Sequence, residues 1–244
     1  MRRFFLSEPI STDMMVTGGE AHHMLRVLRL TTGDKVVVVD PVGQAAIARI
    51  TKITDADVSL IMEQQLEEER EAPITIRLAQ GLPKSDKMDY IVQKAVELGV
   101  SEIIPVAADE SVVRYDTAKQ QSRRERWQKI AAEAAKQCRR TRVPVVAPVQ
   151  DLANLLLATN PNTQIIVLFE GQAPLGLKQA LSDKPGNDYL LIVGPEGGLS
   201  SREVKLSEER GAAIVTMGPR ILRTETAALA AIAAVMYEHG DLGG

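Results

Sequence analysis

From Ile74 onward, apolar runs short enough to be strands alternate with stretches whose apolar residues recur at helical spacing, and this alternation constrains the fold more than any other feature. The runs are ITIRLAQ (74–80), EIIPVAA (102–108), QIIVLFEG (164–171), YLLIVG (189–194) and AAIVTMG (212–218). Strands apolar on both faces and separated by helices pack as an α/β sheet, mostly parallel, with the helices covering its faces. Two helix signals are specific. Ser200 and Glu203 form the S-x-x-E pattern of a capping box, and Gly99 closes a helix that carries Met88, Ile91, Val92, Ala95 and Val96 on one face. Periodicity does not give the strand order.

The first 66 residues follow another pattern. VVVVD (36–40), AAIARIT (45–51) and VSLIM (58–62), punctuated by Gly33, Pro41 and Gly43, predict a small β-barrel interrupted by a helix over about 20–28. The run EEERE (67–71) ahead of Pro73 reads as a solvated linker. The expected domains are therefore 1–70 and 73–244, and a chain of 244 residues, 45% apolar, can bury one large and one small core.

Several function classes are disfavoured. A single cysteine, Cys138, excludes an internal disulfide framework, and three histidines, two of them adjacent (His22, His23), lack metal-ligand spacing, so no metal is expected. The longest apolar run, 227–237, is too short to cross a bilayer and the opening residues lack a secretory apolar core, so the expectation is a soluble cytoplasmic protein without a membrane. A net charge of −3 means that any nucleic-acid binding must use local basic patches.

Ligands of open α/β sheets sit beyond the carboxyl ends of strands. Two strands here end in unusual loops, VGPEGGLS (193–200) and TMGPRILRTETAA (216–228), each with Gly-Pro at or just after the strand end. Neither has the G-x-G-x-x-G spacing of a dinucleotide fold or the Lys-Ser/Thr ending of a P-loop. The plain alternative is a pair of tight turns, with glycine supplying unusual dihedrals and proline ending the strand. Arg220, Arg223, Thr224 and Glu225 together in the second loop weigh against it.

GPEGGLS together with GPRILRTETA resembles the signature of the SPOUT-class, trefoil-knotted methyltransferases, specifically the RsmE-type 16S rRNA (uracil-N(3))-methyltransferases. MRRFF at the start, HMLRVLRL (23–30), KMDYIVQKAVELGV (87–100) and RWQKIAAEAAKQCRRTRVP (126–144) are similar to stretches of that family, so the resemblance covers essentially the whole chain. It implies a PUA-like barrel followed by a knotted α/β domain that works as a homodimer on 16S rRNA or the small ribosomal subunit. It also implies S-adenosylmethionine as cofactor. On this reading Gly194, Pro195, Glu196, Gly197 and Gly198 let backbone approach the cofactor. Met217, Gly218, Ile221 and Leu222 wall its adenine, Leu168 and Ile192 form the floor, and Glu170 and Thr226 complete the site.

The reaction implied is methyl transfer to N3 of a uridine, whose proton must leave. Arg223 or Arg140 would stabilise charge on the uracil oxygens and Glu225 would take the proton. Phosphate contacts are expected from KQCRRTR (136–142), through Arg139, Arg140 and Arg142. Arg26 and Arg29, on one helix face with His22, and His23 and Arg3 would bind RNA in the barrel, where the family places RNA contacts. Glu133 and Gln137 match a polar pair near the family's active site. One departure stands out: DESVV puts Glu110 where many relatives have an arginine, with Arg114 as a possible replacement. Competing readings are a non-catalytic rRNA-binding assembly factor, or a methyltransferase of the same fold acting on another base or a ribose 2′-hydroxyl.

Overall fold

The computed structural model describes residues 1–171, 173–183 and 185–243. They divide into two compact units, one of 1–71 with 135–142 and one of 72–134 with 143–244. The first unit differs from a single cut near 70–73 by including the basic stretch 135–142.

The first unit holds β1 (Arg3–Phe5), β2 (Asp13–Val16), β3 (Lys35–Val39), β4 (Ala45–Ile53) and β5 (Val58–Leu66) in the order β1-β3-β4-β5-β2. All pairings are antiparallel except β1 with β3. Two register shifts in the β4–β5 pair leave one extra residue on each strand, Glu63 on β5 and Thr51 on β4, and such bulges bend and coil the ribbon. The bend lets Phe4, Val36, Val38, Ile50 and Leu60 share one core with Met24. The helix expected over 20–28 is α1 (Gly18–His22) running into a π-helical turn, His23–Val27. The wider turn is invisible to a 3.6-residue pattern.

The stretch 67–71 is more than a solvated linker. Glu68 pairs with Arg3 at 2.5 Å, and the Glu71 carboxylate accepts from Arg140 and from the backbone N–H groups of Thr141 and Arg142. These bonds fix 135–142 to the first unit.

The second unit is a seven-stranded, wholly parallel sheet in the order β10-β12-β9-β11-β6-β7-β8. Its strands are β6 (Thr75–Gly81), β7 (Glu102–Val106), β8 (Val145–Val146), β9 (Gln164–Leu168), β10 (Leu175–Gly176), β11 (Asp188–Val193) and β12 (Ala213–Thr216). The crossovers carry α2 (Lys87–Glu97), α3 (Thr117–Gln137), α4 (Leu152–Ala158), α5 (Leu177–Asp183), α6 (Ser201–Glu209) and α7 (Thr224–His239). Continuous burial of Tyr189–Val193 in β11 follows from its central place, covered on both faces. The apolar face read for 88–96 is the buried face of α2. Gly99 ends the segment at φ +94, where a Cβ would also come within 2.8 Å of the Met236 side chain. Only glycine meets both demands.

Candidate functional site

Two loops at the carboxyl edge of this sheet form the site. After β11 the chain turns at once: Gly198 N–H donates to Pro195 O at 2.9 Å, with Gly198 at φ +76. The capping box then starts α6. Ser200 accepts from Glu203 N–H, and Glu203 accepts from Ser200 N–H at 2.9 Å. The same buried carboxylate accepts from Asp109 N–H at 3.1 Å, so the loop after β7 is tied to the start of α6.

The second loop follows β12 and leads into α7. Thr224, 6% exposed, donates its hydroxyl to Gly194 O at 2.6 Å and accepts from Gln80 Nε2 at 2.8 Å. One side chain thus joins β6, the turn after β11 and the first residue of α7. At Gly81, next to Gln80, a Cβ would lie 2.5 Å from the Pro195 nitrogen, so β6 and the turn touch backbone to backbone.

Between the loops lies a cavity of about 450 Å³, within the range of small-molecule sites. Leu168, Val193, Leu199, Met217 and Leu222 give it an apolar body, and Glu170, Glu196, Lys87, Arg220 and Arg223 bring charge to its walls. Most residues expected from the sequence to hold a cofactor line it: Leu168, Glu170, Gly194, Pro195, Glu196, Gly198, Met217, Gly218, Ile221 and Leu222. Three do not. Ile192 is 1% exposed inside β11, Thr226 faces outward from the first turn of α7, and a Cβ on Gly197 would point at Glu110, 3.0 Å away.

Sequence reasoning missed Lys87. Its ammonium lies 2.9 Å from Glu196 Oε1 and 3.2 Å from Glu225 Oε2. The Glu196 carboxylate, with Glu225 behind it, holds Lys87 above the usual lysine range. Burial raises the Glu196 carboxyl, but Lys87 and the backbone N–H of Lys84 outweigh it and leave the group below the usual carboxylate range. Of the three residues expected to be catalytic, only Arg223 lines the cavity. Glu225 lies outside the cavity lining, with its carboxylate facing Lys87.

Arg140 belongs to the first unit and is 6% exposed, with its guanidinium bonded to Glu71. It is therefore not presented to a phosphate or a uracil oxygen. Arg3 is likewise 9% exposed, bonded to Glu68 and to the Arg140 carbonyl, and serves the first unit's packing. Arg26, Arg29, Arg139 and Arg142 are exposed, and His23 is half-buried edge-on to Phe4.

Among the described residues, no three His, Cys, Asp or Glu side chains cluster as a metal site requires, and no helix is long and apolar enough to cross a membrane.

The chain matches the model of an RNA methyltransferase domain over residues 70–236 and of an RNA methyltransferase PUA domain over 16–62. It is 38% identical to the ribosomal RNA small subunit methyltransferase E of Bacillus subtilis, over 91% of this chain and 89% of that protein. With the protein of the same name from Buchnera aphidicola (Schizaphis graminum) it shares 29% identity, over 98% and 96%. A crystal structure of the Neisseria gonorrhoeae ribosomal RNA small subunit methyltransferase E, bound to S-adenosyl methionine, superposes with a TM-score of 0.89 at 34% identity, covering 99% of both chains. With the α/β sheet, the glycine-walled cavity at its carboxyl edge and these likenesses in place, the chain belongs to the ribosomal RNA small subunit methyltransferase E family.

Proposed function

We propose that this protein methylates N3 of a uridine in 16S rRNA with S-adenosylmethionine as cofactor, acting in the cytoplasm as a homodimer with a trefoil-knotted catalytic domain. The observation that carries the reading is the cavity between the turn after β11 and the loop before α7. Its fit to the cofactor rests on its own chemistry. It has room for a nucleoside-sized ligand, an apolar body suited to an adenine, glycine backbone close to the space, and two carboxylates, Glu170 and Glu196, suited to ribose hydroxyls or a cationic group. The cofactor supplies an activated methyl group.

The chain's own residues have three tasks. Leu168, Met217 and Leu222 exclude water from the apolar end of the cavity. The Thr224–Gly194 bond keeps the two walls in one geometry, and fixed positioning contributes most to an in-line displacement. The third task is to favour the imide anion of a uracil. Arg220 and Arg223 line the cavity, are exposed and make no salt bridge among the described residues, so both guanidinium groups are available to the uracil oxygens. Lys87, at the same wall, is held by Glu196 and Glu225 and leaves this role to the two arginines. Stabilising the anion in this way lowers the N3 pKa and eases loss of the proton, for which Glu225, at the start of α7, is the nearest candidate acceptor in sequence.

The test is nucleoside mass spectrometry of rRNA after incubating the protein and S-adenosylmethionine with small subunits from a strain lacking the gene. The expected product is 3-methyluridine at one position. A different methylated nucleoside would overturn the N3 assignment, and no methyl transfer would favour a binding-only assembly factor.

A further inference from the structure

A second cavity, of about 340 Å³, lies at the carboxyl end of β6 and β7 and shares no lining residue with the first. Leu82, just after β6, and Ala108, Ser111, Arg114 and Tyr115, from the segment after β7, line it with Gln120 of α3. In the sheet β7 neighbours β6 and β6 neighbours β11, so the two cavities follow one another along a single edge. Their loops abut: Ser200 Oγ donates to Asp109 Oδ2 at 2.6 Å.

Two independent features point to a ligand. Ser111 is 6% exposed, yet its hydroxyl has no hydrogen-bond partner among the described residues, a cost that a buried polar group normally escapes by being paired. Tyr115 is half-buried, with Lys119 Nζ and Arg123 Cζ over its ring at 5.1 and 5.9 Å from the centroid, cations on long side chains that a stacking base would displace toward its phosphate, and with exposed Arg114 adjacent. An aromatic face set among cations, beside a cavity holding a free hydroxyl, matches what single-stranded nucleic acid requires. The ring stacks a base, the cations meet the phosphates, and the polar group reads a base edge.

We propose that this second cavity receives a nucleotide flanking the one to be methylated, with its base against Tyr115, its edge on the Ser111 hydroxyl and its phosphate near Arg114 and Lys119. The assignment rests on the RNA methyltransferase reading above and extends it from one base to a strand laid along the sheet edge.

Two measurements test it. In the first, adenosine and uridine 5′-monophosphates are titrated at millimolar concentration into protein saturated with S-adenosylhomocysteine, and backbone amides are followed by NMR. Shifts are expected at Ser111, Tyr115 and Gln120 for at least one nucleotide, weakened in Tyr115→Ala. In the second, Tyr115→Ala is expected to raise KM for small subunits about tenfold, from the lost stack, with KM for S-adenosylmethionine unchanged and with Tyr115→Phe close to the parent. Shifts confined to the first cavity, no shifts, or an unchanged KM for subunits would each overturn the proposal. If the parent protein methylates no rRNA, the underlying reading fails instead, and the nucleotide titration still reports on the cavity.

Discussion

The Thr224 hydroxyl donates to the Gly194 carbonyl at 2.6 Å, so the last helix and the turn after β11 are held by one buried hydrogen bond. Gln80 Nε2 donates to the same hydroxyl, which makes Thr224 the junction of three segments. Replacing it with valine keeps the shape and removes both bonds. Leaving buried groups unpaired costs about 1–3 kcal/mol, so Thr224→Val should lower the unfolding free energy by that order and weaken S-adenosylmethionine binding. Thr224→Ser should restore most of both. Calorimetry and urea melts on the two variants check this, and a valine protein with unchanged affinity would remove Thr224 from the site's support.

Glycine substitutions should separate close approach from backbone strain. At Gly81 a Cβ would sit 2.5 Å from Pro195 backbone, whereas at Gly176 nothing lies within 4 Å. Gly81→Ala should cost about 2–3 kcal/mol through overpacking and loosen the cofactor turn, while Gly176→Ala stays near the parent. Gly198→Ala combines φ +76 with a Cβ 3.0 Å from Glu170 Oε1, and the left-handed backbone alone costs about 1–2 kcal/mol. Thermal melts with and without S-adenosylmethionine rank the three, and equal effects at Gly81 and Gly176 would contradict the packing described.

Lys87 stands between Glu196 and Glu225, so its contribution to stability is bounded by acid on one side and by base on the other. Glu196 is held below the ordinary 4.5, so its share of stability is present above that pH and disappears as acid protonates it. Lys87 is held above the ordinary 10.5, so its share persists below that pH and is lost as the pH rises past it. Lys87→Met should therefore cost a constant amount between about pH 6 and 9 and progressively less below 4.5. The pair is about a quarter exposed, which limits the cost to about 1 kcal/mol. Urea melts of parent and variant across pH supply the difference curve.

Much of this site was legible in the sequence, because its two loops are local: Gly-Pro turns, a capping box and the strands before them are written in consecutive residues. The Ser200–Glu203 box and the buried face of α2 appear where the pattern puts them. What could not be read depends on distant partners. Lys87 looks like any lysine at a helix start until the fold brings Glu196 and Glu225 to it. Arg140 and Arg3 look like surface cations until Glu71 and Glu68 bury them in ion pairs. Gly197 shares a motif with Gly194 and Gly198, but its Cα faces Glu110, a direction set by the turn rather than by composition.

The basic stretch 136–142 should accordingly split into two behaviours. Arg139 and Arg142 are exposed, and each alanine substitution should reduce the slope of log affinity for rRNA against log salt by roughly one unit, with little change in folding. Arg140→Ala should instead destabilise the protein by about 2–3 kcal/mol, at or below the low end for a broken buried pair because Glu71 keeps some solvent contact. Filter binding at several salt concentrations, with a melt for each variant, distinguishes the two. A normal melt for Arg140→Ala would return that residue to the RNA-contacting group.

The proposed homodimer would use the last helix. On α7, Ala228, Ala231, Ile232, Val235 and Met236 are buried within the unit, while Ala230, Ala233 and Ala234 remain partly accessible and Tyr237 is 69% exposed. The accessible four recur at i, i+3, i+4 and i+7, which makes a second apolar stripe on the face not used for folding. Small residues let a helix approach its partner closely, and an exposed tyrosine at the end of such a stripe is a suitable anchor for an interface. Ala234→Glu would place a charge without a partner in that contact once desolvated, yet in a monomer the same side chain could reach solvent. The expected result is a folded monomer by light scattering with methyl transfer lost, and Tyr237→Ala should weaken the dimer less. A parent protein that is monomeric at micromolar concentration and fully active would show that the stripe is ordinary surface.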